Sequence, residues 1–112
     1  MVVPWEELDR LLTRSRAALS EWRGVYYIFD TSDRRGYVGS AYGRENLLGR
    51  WRDYAKSGHG GNRLLRKREP RHFLFSILQR VSPDMAPEEV VRLETSWKRR
   101  LNSIWPHGLN DV

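Results

Sequence analysis

A carboxylate on the apolar face of a predicted helix is the first feature that could do chemistry. Val90, Trp97 and Leu101 recur at helical spacing, and Glu94 falls on the same stripe, between Val90 and Trp97. A charged group that faces a core is costly unless it is paired or binds a metal. The pattern leaves open a salt bridge to an arginine, or a slightly rotated helix that lets Glu94 reach water.

Two tyrosines form a second candidate group. Tyr26 and Tyr37 lie in neighbouring segments rich in β-formers. An even number of residues in the turn between the strands would place both rings on one face of a sheet, and a two-residue turn at Thr31 and Ser32 would make them direct partners. Either phenol could accept a proton if its pKa were lowered. Ordinary sheet tyrosines with solvated hydroxyls are the alternative.

Arg50 and Tyr54 are one helical turn apart, so their side chains are neighbours. The arginine fork suits bidentate binding of a phosphate. His59 lies in a glycine-rich loop, where it could bind phosphate, transfer a proton or simply be solvated. Charge alone does not single out Arg50 among the many arginines.

The elements that would position these groups follow from periodicity and turn chemistry. An amphipathic first helix is followed by a hairpin, a second helix, a short helix capped by Asn62, a third strand and a last helix. The pattern predicts an α+β domain with a small three-stranded antiparallel sheet flanked by helices. The predicted ranges are helix 4–22, strands 25–29 and 36–39, helix 43–56, short helix 62–68, strand 71–78 and helix 87–102.

Composition limits the possible partners. The 112 residues fit one domain, the net charge is +6, and arginine outnumbers lysine. Excess positive charge favours polyanions such as nucleic acid, although a solvated basic surface is the plain alternative. The chain lacks cysteine and shows neither a signal peptide nor a membrane span. These features predict an intracellular, cytoplasmic protein with no membrane partner.

Together the candidate residues resemble the GIY-YIG nuclease family. The two name tripeptides read Gly24-Val25-Tyr26 and Tyr37-Val38-Gly39, at a family-like separation. The match continues through Arg50-Trp51-Arg52, Leu93-Glu94 and Gly108-Leu109-Asn110, and covers about residues 23–111. It is most similar to the catalytic domain of phage intron-homing endonucleases. Valine replaces isoleucine in both tripeptides, which is a conservative change.

The resemblance implies a DNA endonuclease that uses one divalent cation, Mg²⁺ or alternatively Mn²⁺. Glu94 would bind the metal, Arg50 would hold the scissile phosphate, and Tyr26 would be the base that activates water. Tyr37 would orient water or phosphate, although some family mechanisms exchange these two roles. Asn110 would support the site, and His59 corresponds by position to a histidine of homing members. Tyr54 stands where those members carry a histidine.

The basic residues would then grip the DNA backbone. The predicted contacts are Arg52, Arg63, Arg66, Lys67 and Arg71, with Arg68, Lys98, Arg99 and Arg100 adding charge. We expect residues 1–23 to form an N-terminal amphipathic helix and residues 24–112 the nuclease domain. Packing of that helix on the domain is favoured over a dimer contact, so the chain is expected to be a monomer or a weak homodimer. We expect it to be either a truncated domain or a small nuclease with weak or structure-based selectivity. A catalytically inactive nucleic-acid-binding module of the same fold and a basic protein–protein adaptor are the alternatives.

Overall fold

The computed structural model describes all 112 residues as a four-stranded antiparallel sheet with helices on both faces. The strands run in the order β1-β4-β2-β3, so β3 is an edge strand. None of the helices combines the length and the apolar character that crossing a bilayer requires. The bounds are β1 Val2–Pro4, α1 Leu8–Arg14, α2 Arg16–Glu21, β2 Arg23–Asp30, β3 Arg35–Ala41, α3 Leu47–Ser57, β4 Phe73–Val81 and α4 Pro87–Leu101.

The predicted α+β class is confirmed, but the prediction of three strands is wrong. Val2 and Val3 extend and pair with β4, with Val3 opposite Phe75. The expected helix over 4–22 is instead a 3₁₀ turn at Trp5–Glu7 followed by the two short helices α1 and α2. Pro4 suits a helix start, but it is equally tolerated on an edge strand, where its missing N–H needs no partner.

The segment over 62–68 is a series of turns, so the helix predicted there is wrong. The side chain of Asn62 bonds to tyrosines of the neighbouring elements. The guanidinium of Arg68 reaches Asp30 at 3.0 Å and Asp33 at 2.8 Å. Tertiary contacts therefore hold this segment in a non-helical path, which local helix signals do not show.

The core fills the face of the sheet that carries Tyr26, Ile28 and Phe75. Helices α1, α2 and α3 cover it with a single apolar cluster, which includes Leu8, Leu12, Leu19, Leu47, Trp51 and Tyr54. The N-terminal helices thus share the core of the rest of the chain, as expected for packing. Trp5 adds a hydrogen bond of 2.8 Å from its indole Nε1 to the carbonyl of Tyr54.

The opposite face carries α4, which packs on β3 and β2. Val25 and Val38 alternate with the core residues of their strands, and Val90 of α4 is fully buried. The last helix begins at Pro87, as predicted, and ends at Leu101 before Asn102, which adopts a left-handed φ of 51°. This helix presents Glu94 to the exposed edge of the sheet, beside Ser40 of β3.

Candidate active site

Tyr26, Tyr37 and Arg50 lie on one face of the sheet at the edge strand β3, whereas Glu94 reaches the same strand from the other face. Four residues separate β2 from β3, and the register pairs Tyr26 with Gly39 and Ile28 with Tyr37. Because this number is even, Tyr26 and Tyr37 share one face, although they are diagonal neighbours and not direct partners. A Cβ at Gly39 would lie 2.4 Å from Cζ of Tyr26, so the ring can rest over this strand only because residue 39 is glycine.

A hydrogen-bonded chain joins the phenols to the arginine. The hydroxyls of Tyr26 and Tyr54 are 2.9 Å apart, and Nη2 of Arg50 lies 3.5 Å from the first and 3.4 Å from the second. Asn62 Nδ2 donates to the Tyr54 hydroxyl at 2.6 Å, and Tyr37 donates to Asn62 Oδ1 at 3.0 Å. Each group of the site is therefore oriented by at least one other.

Burial keeps the phenols protonated near neutral pH. Tyr26 and Tyr54 have no exposed surface, whereas Tyr37 is half-buried. Burial raises the pKa of Tyr26, and the Arg50 charge and the hydrogen bond to Tyr54 offset only part of that effect. Burial also raises the pKa of Tyr37 and of Tyr54. Burial lowers the pKa of Arg50, but the nearby phenol oxygens of Tyr26 and Tyr54 raise it by more, so the guanidinium stays charged.

Glu94 approaches this group from the other face of the sheet. Its charge contributes to the raised pKa of both Tyr26 and Tyr37. Oε1 accepts a hydrogen bond of 2.7 Å from the Ser40 hydroxyl, and Oε2 lies 3.2 Å from Nζ of Lys98, one helical turn later. The carboxylate side chain keeps 19% of its surface exposed, so it remains open to solvent cations. Glu94 therefore reaches water, as one alternative predicted, and it is paired with Lys98 and not with the arginine that the other alternative predicted.

Comparison of the sequence with known protein families gives one match. The sequence model of the GIY-YIG catalytic domain matches residues 23–110. The chain belongs to the GIY-YIG family. Members of this family are nucleases that cleave phosphodiester bonds, generally with a divalent metal, and a nuclease domain implies a DNA substrate. Searches of curated proteins and of solved structures found no match.

Asn110 holds the edge strand of the GIY-YIG sheet in place. Its Oδ1 accepts from the backbone N–H of Val38 at 2.8 Å and from the Ser103 hydroxyl at 2.7 Å, and its Nδ2 donates to the Val38 carbonyl at 2.9 Å. The side chain is buried, so it has no surface for substrate. The contacts are those of a support, because Val38 follows Tyr37 directly.

His59 takes no part in the hydrogen-bonded chain. Its Nδ1 accepts from the backbone N–H of Gly61 at 2.8 Å and closes the loop after α3 locally. Arg52 also lies apart from the tyrosines, since it borders a depression formed with Asp9 and Arg16 of the N-terminal helices. The side chains of His59 and Arg52 therefore form no hydrogen bond with the tyrosines, Arg50 or Asn62.

The remaining basic residues lie on the segment between α3 and β4. Arg63 borders the same depression as Tyr37 and forms an exposed ion pair with Asp111. Arg66 bonds the Gly61 carbonyl at 3.4 Å, and Arg71 lies 3.9 Å from Glu69. Lys67 lines a neighbouring hollow with Arg68. Of this group Arg63 is the residue that borders the depression of the tyrosine site.

Three residues that contact the candidate site residues were not predicted to do so: Ser40, Asn62 and Lys98. Lys98 follows Glu94 by one helical turn, a spacing that predicts an ion pair and could have been used. Ser40 and Asn62 had no comparable local signal. Their contacts join residues that are far apart in the chain, so the folded backbone was needed to find them.

Proposed function

We propose that this chain is a DNA endonuclease that hydrolyses one strand at each site, with one divalent cation. The observation that supports the proposal is the hydrogen-bonded group of Tyr26, Tyr54, Arg50, Asn62 and Tyr37 beside β3, with Glu94 bonded to Ser40 of the same strand from the other face of the sheet. Because one chain holds the whole group, a monomer would cut one strand in each encounter.

Arg50 is proposed to bind the scissile phosphate. Its side chain is 19% exposed, and its Nη2 is directed by the hydroxyls of Tyr26 and Tyr54. Nη1 lies 3.4 Å from Asp53, whose side chain is more than half exposed, so this ion pair is weak and a phosphate can replace it. A guanidinium that is already oriented stabilises the charge that grows on phosphorus oxygens in the transition state.

Glu94 is the proposed metal ligand, and a cation bound there would displace the Lys98 ammonium, which lies 3.2 Å from Oε2. Carboxylate and hydroxyl oxygens of Glu94 and Ser40 lie together, and no cluster of three or more His, Cys, Asp or Glu side chains surrounds them. Mg²⁺ tolerates a single protein carboxylate because it keeps most of its waters, and Mn²⁺ is the alternative. When bound, the cation would supply positive charge that polarises a phosphate oxygen.

We propose that Tyr37, and not Tyr26, takes the proton of the attacking water. This exchanges the roles that the resemblance implies for the two tyrosines. Tyr26 has no exposed surface, whereas Tyr37 borders an open depression with Asn62 and Lys98. Tyr26 then orients Arg50 through its hydroxyl. The raised pKa of Tyr37 makes its phenolate scarce at neutral pH, so positive charge near the site is required for rapid proton removal.

Nicking of a supercoiled plasmid with Mg²⁺ tests the proposal. We expect nicking by the natural chain, and loss of nicking with EDTA or in Glu94→Gln. Glutamine keeps the size of the side chain and an oxygen for the Ser40 hydroxyl, but loses the charge. Glu89→Gln is the matched control, because Glu89 is an exposed carboxylate on the first turn of the same helix. Nicking that survives in Glu94→Gln would refute the metal-binding role of Glu94.

The same assay separates an enzyme from a binding module. Tight DNA binding at low salt with no nicking under any divalent cation would show a catalytically inactive GIY-YIG fold. Absence of DNA binding even at low salt would instead favour a protein–protein adaptor.

A further inference from the structure

Trp105 is an exposed aromatic side chain near the candidate site that the proposed reaction does not use. Nearly half of its surface, 48%, is exposed. The indole lines a hollow of about 420 Å³ together with Arg63, Leu64, Lys67 and Arg68. Large exposed aromatic residues beside cationic side chains are typical of sites that bind nucleic acid by stacking.

The loop that carries Trp105 is held firmly against β3. The backbone N–H of Trp105 donates to the Asn110 carbonyl at 2.8 Å, and the N–H of Leu109 donates to the Gly36 carbonyl at 2.8 Å. The Arg35 guanidinium carbon lies 5.2 Å from the centre of the indole ring. The ring is therefore positioned before any ligand arrives, which lowers the entropic cost of binding.

The hollow at Trp105 adjoins the depression of the tyrosine site. Arg63 and Leu64 line both this hollow and the depression that contains Tyr37. Arg35, beside Trp105, and Tyr37 lie two residues apart on one face of β3, which corresponds to about 7 Å along the strand.

The charges of the hollow suit phosphates on either side of a base. Arg68 is already paired with Asp30 and Asp33, so it is not available. Lys67 is exposed and forms no ion pair, and the Arg63 side chain is 70% exposed in its pair with Asp111. The pair is bidentate but open to solvent, and a phosphate offers the same two acceptor oxygens to the guanidinium, so it can replace Asp111 on Arg63.

We propose that Trp105 stacks on an unpaired base of the DNA strand close to the scissile phosphate, with Lys67 and Arg63 on the adjoining phosphates. The inference rests on the proposed nuclease function and narrows its substrate class. Bases in a continuous duplex are stacked on one another and cannot offer a free face to an indole, so the site selects DNA with a splayed, flapped or single-stranded segment.

Fluorescence anisotropy of labelled DNA tests this inference in a Glu94→Gln background, which prevents cleavage. The two probes are a fully paired duplex and the same duplex with a single-stranded arm. We expect Trp105→Leu to weaken binding of the armed DNA about 5- to 150-fold, the range for loss of one base–aromatic stack, and to leave the paired duplex within about twofold. Trp105→Phe should retain most of the affinity, because phenylalanine still offers a ring.

The stacking site would be refuted if Trp105→Leu weakened binding of both DNA probes equally, or weakened binding of neither. A Trp105→Phe variant as weak as Trp105→Leu would also refute it. Thermal unfolding of each variant checks that the fold survives. Plasmid nicking by the natural chain is measured separately. If the natural chain does not nick but Trp105→Leu still weakens binding of the armed DNA selectively, only the nuclease function is refuted. If the natural chain nicks in a Glu94-dependent way but the two probes respond alike to Trp105→Leu, only the stacking site is refuted.

Discussion

The hydroxyl of Tyr54 connects three groups of the candidate site, and its removal gives a well-defined prediction. It lies 2.9 Å from the Tyr26 hydroxyl, 2.6 Å from Asn62 Nδ2 and 3.4 Å from Arg50 Nη2. Tyr54→Phe keeps the ring, which packs edge-on against Tyr26 and Phe75, and removes only these polar contacts. The variant therefore isolates the contribution of the hydrogen-bonded chain to stability.

The expected loss follows from two short hydrogen bonds and one long one. Each buried bond contributes about 1 kcal/mol net, and a donor left without a partner costs up to about 3 kcal/mol. Asn62 is half-buried and can recruit water, whereas Tyr26 keeps only the contact with Arg50. We expect the free energy of unfolding to fall by about 1–3 kcal/mol, which corresponds to about 4–12 °C in Tm for a chain of this size.

Urea denaturation at neutral pH measures the change, provided that the slope against urea stays constant. Tyr27→Phe is the matched control. Tyr27 lies next to Tyr26 on the opposite face of β2, is half-buried, and its hydroxyl forms no hydrogen bond within the protein. Its loss should change stability by less than about 0.5 kcal/mol. Equal midpoints for the two variants would show that the chain of phenols does not stabilise the fold.

Two further predictions concern pH. Burial raises the pKa of Asp30, but the hydrogen bonds from Ser32 and Arg68 lower it by more, so the pKa in the folded protein lies below the ordinary value. The carboxylate therefore stabilises the fold above its unfolded pKa of about 3.9, and this stabilisation is lost as the pH falls through the folded pKa. Asp30→Asn should cost about 1–3 kcal/mol at neutral pH and flatten the acid limb in urea titrations. Because the pKa of Tyr37 is raised, cleavage at saturating cation should accelerate toward alkaline pH, and initial-rate profiles of Tyr37→Phe should lack this rise.

Local patterns were sufficient for much of the fold. The hairpin of β2 and β3 and the helix α4 follow from β-rich runs and an amphipathic stripe, which depend on residues close together in the chain. The short strand β1 was missed because two valines and a proline carry little signal until β4 is present to pair with them. The turns over 62–68 were missed for a related reason, since Asp30 and Asp33 hold Arg68 from another element.

The order and spacing of two tripeptides, one arginine and one glutamate predicted the GIY-YIG family before any coordinates, because that resemblance depends only on residue types along the chain, and the family model confirms it over residues 23–110. The spacing of residues in the sequence did not show which of the two phenols, Tyr26 or Tyr37, is accessible to water. That depends on how the ring of Tyr26 crosses Gly39 and is covered by Tyr54, while Tyr37 stays at the open edge. Solvent exposure arises from all the elements packed around a group, so it becomes known only when the chain is folded.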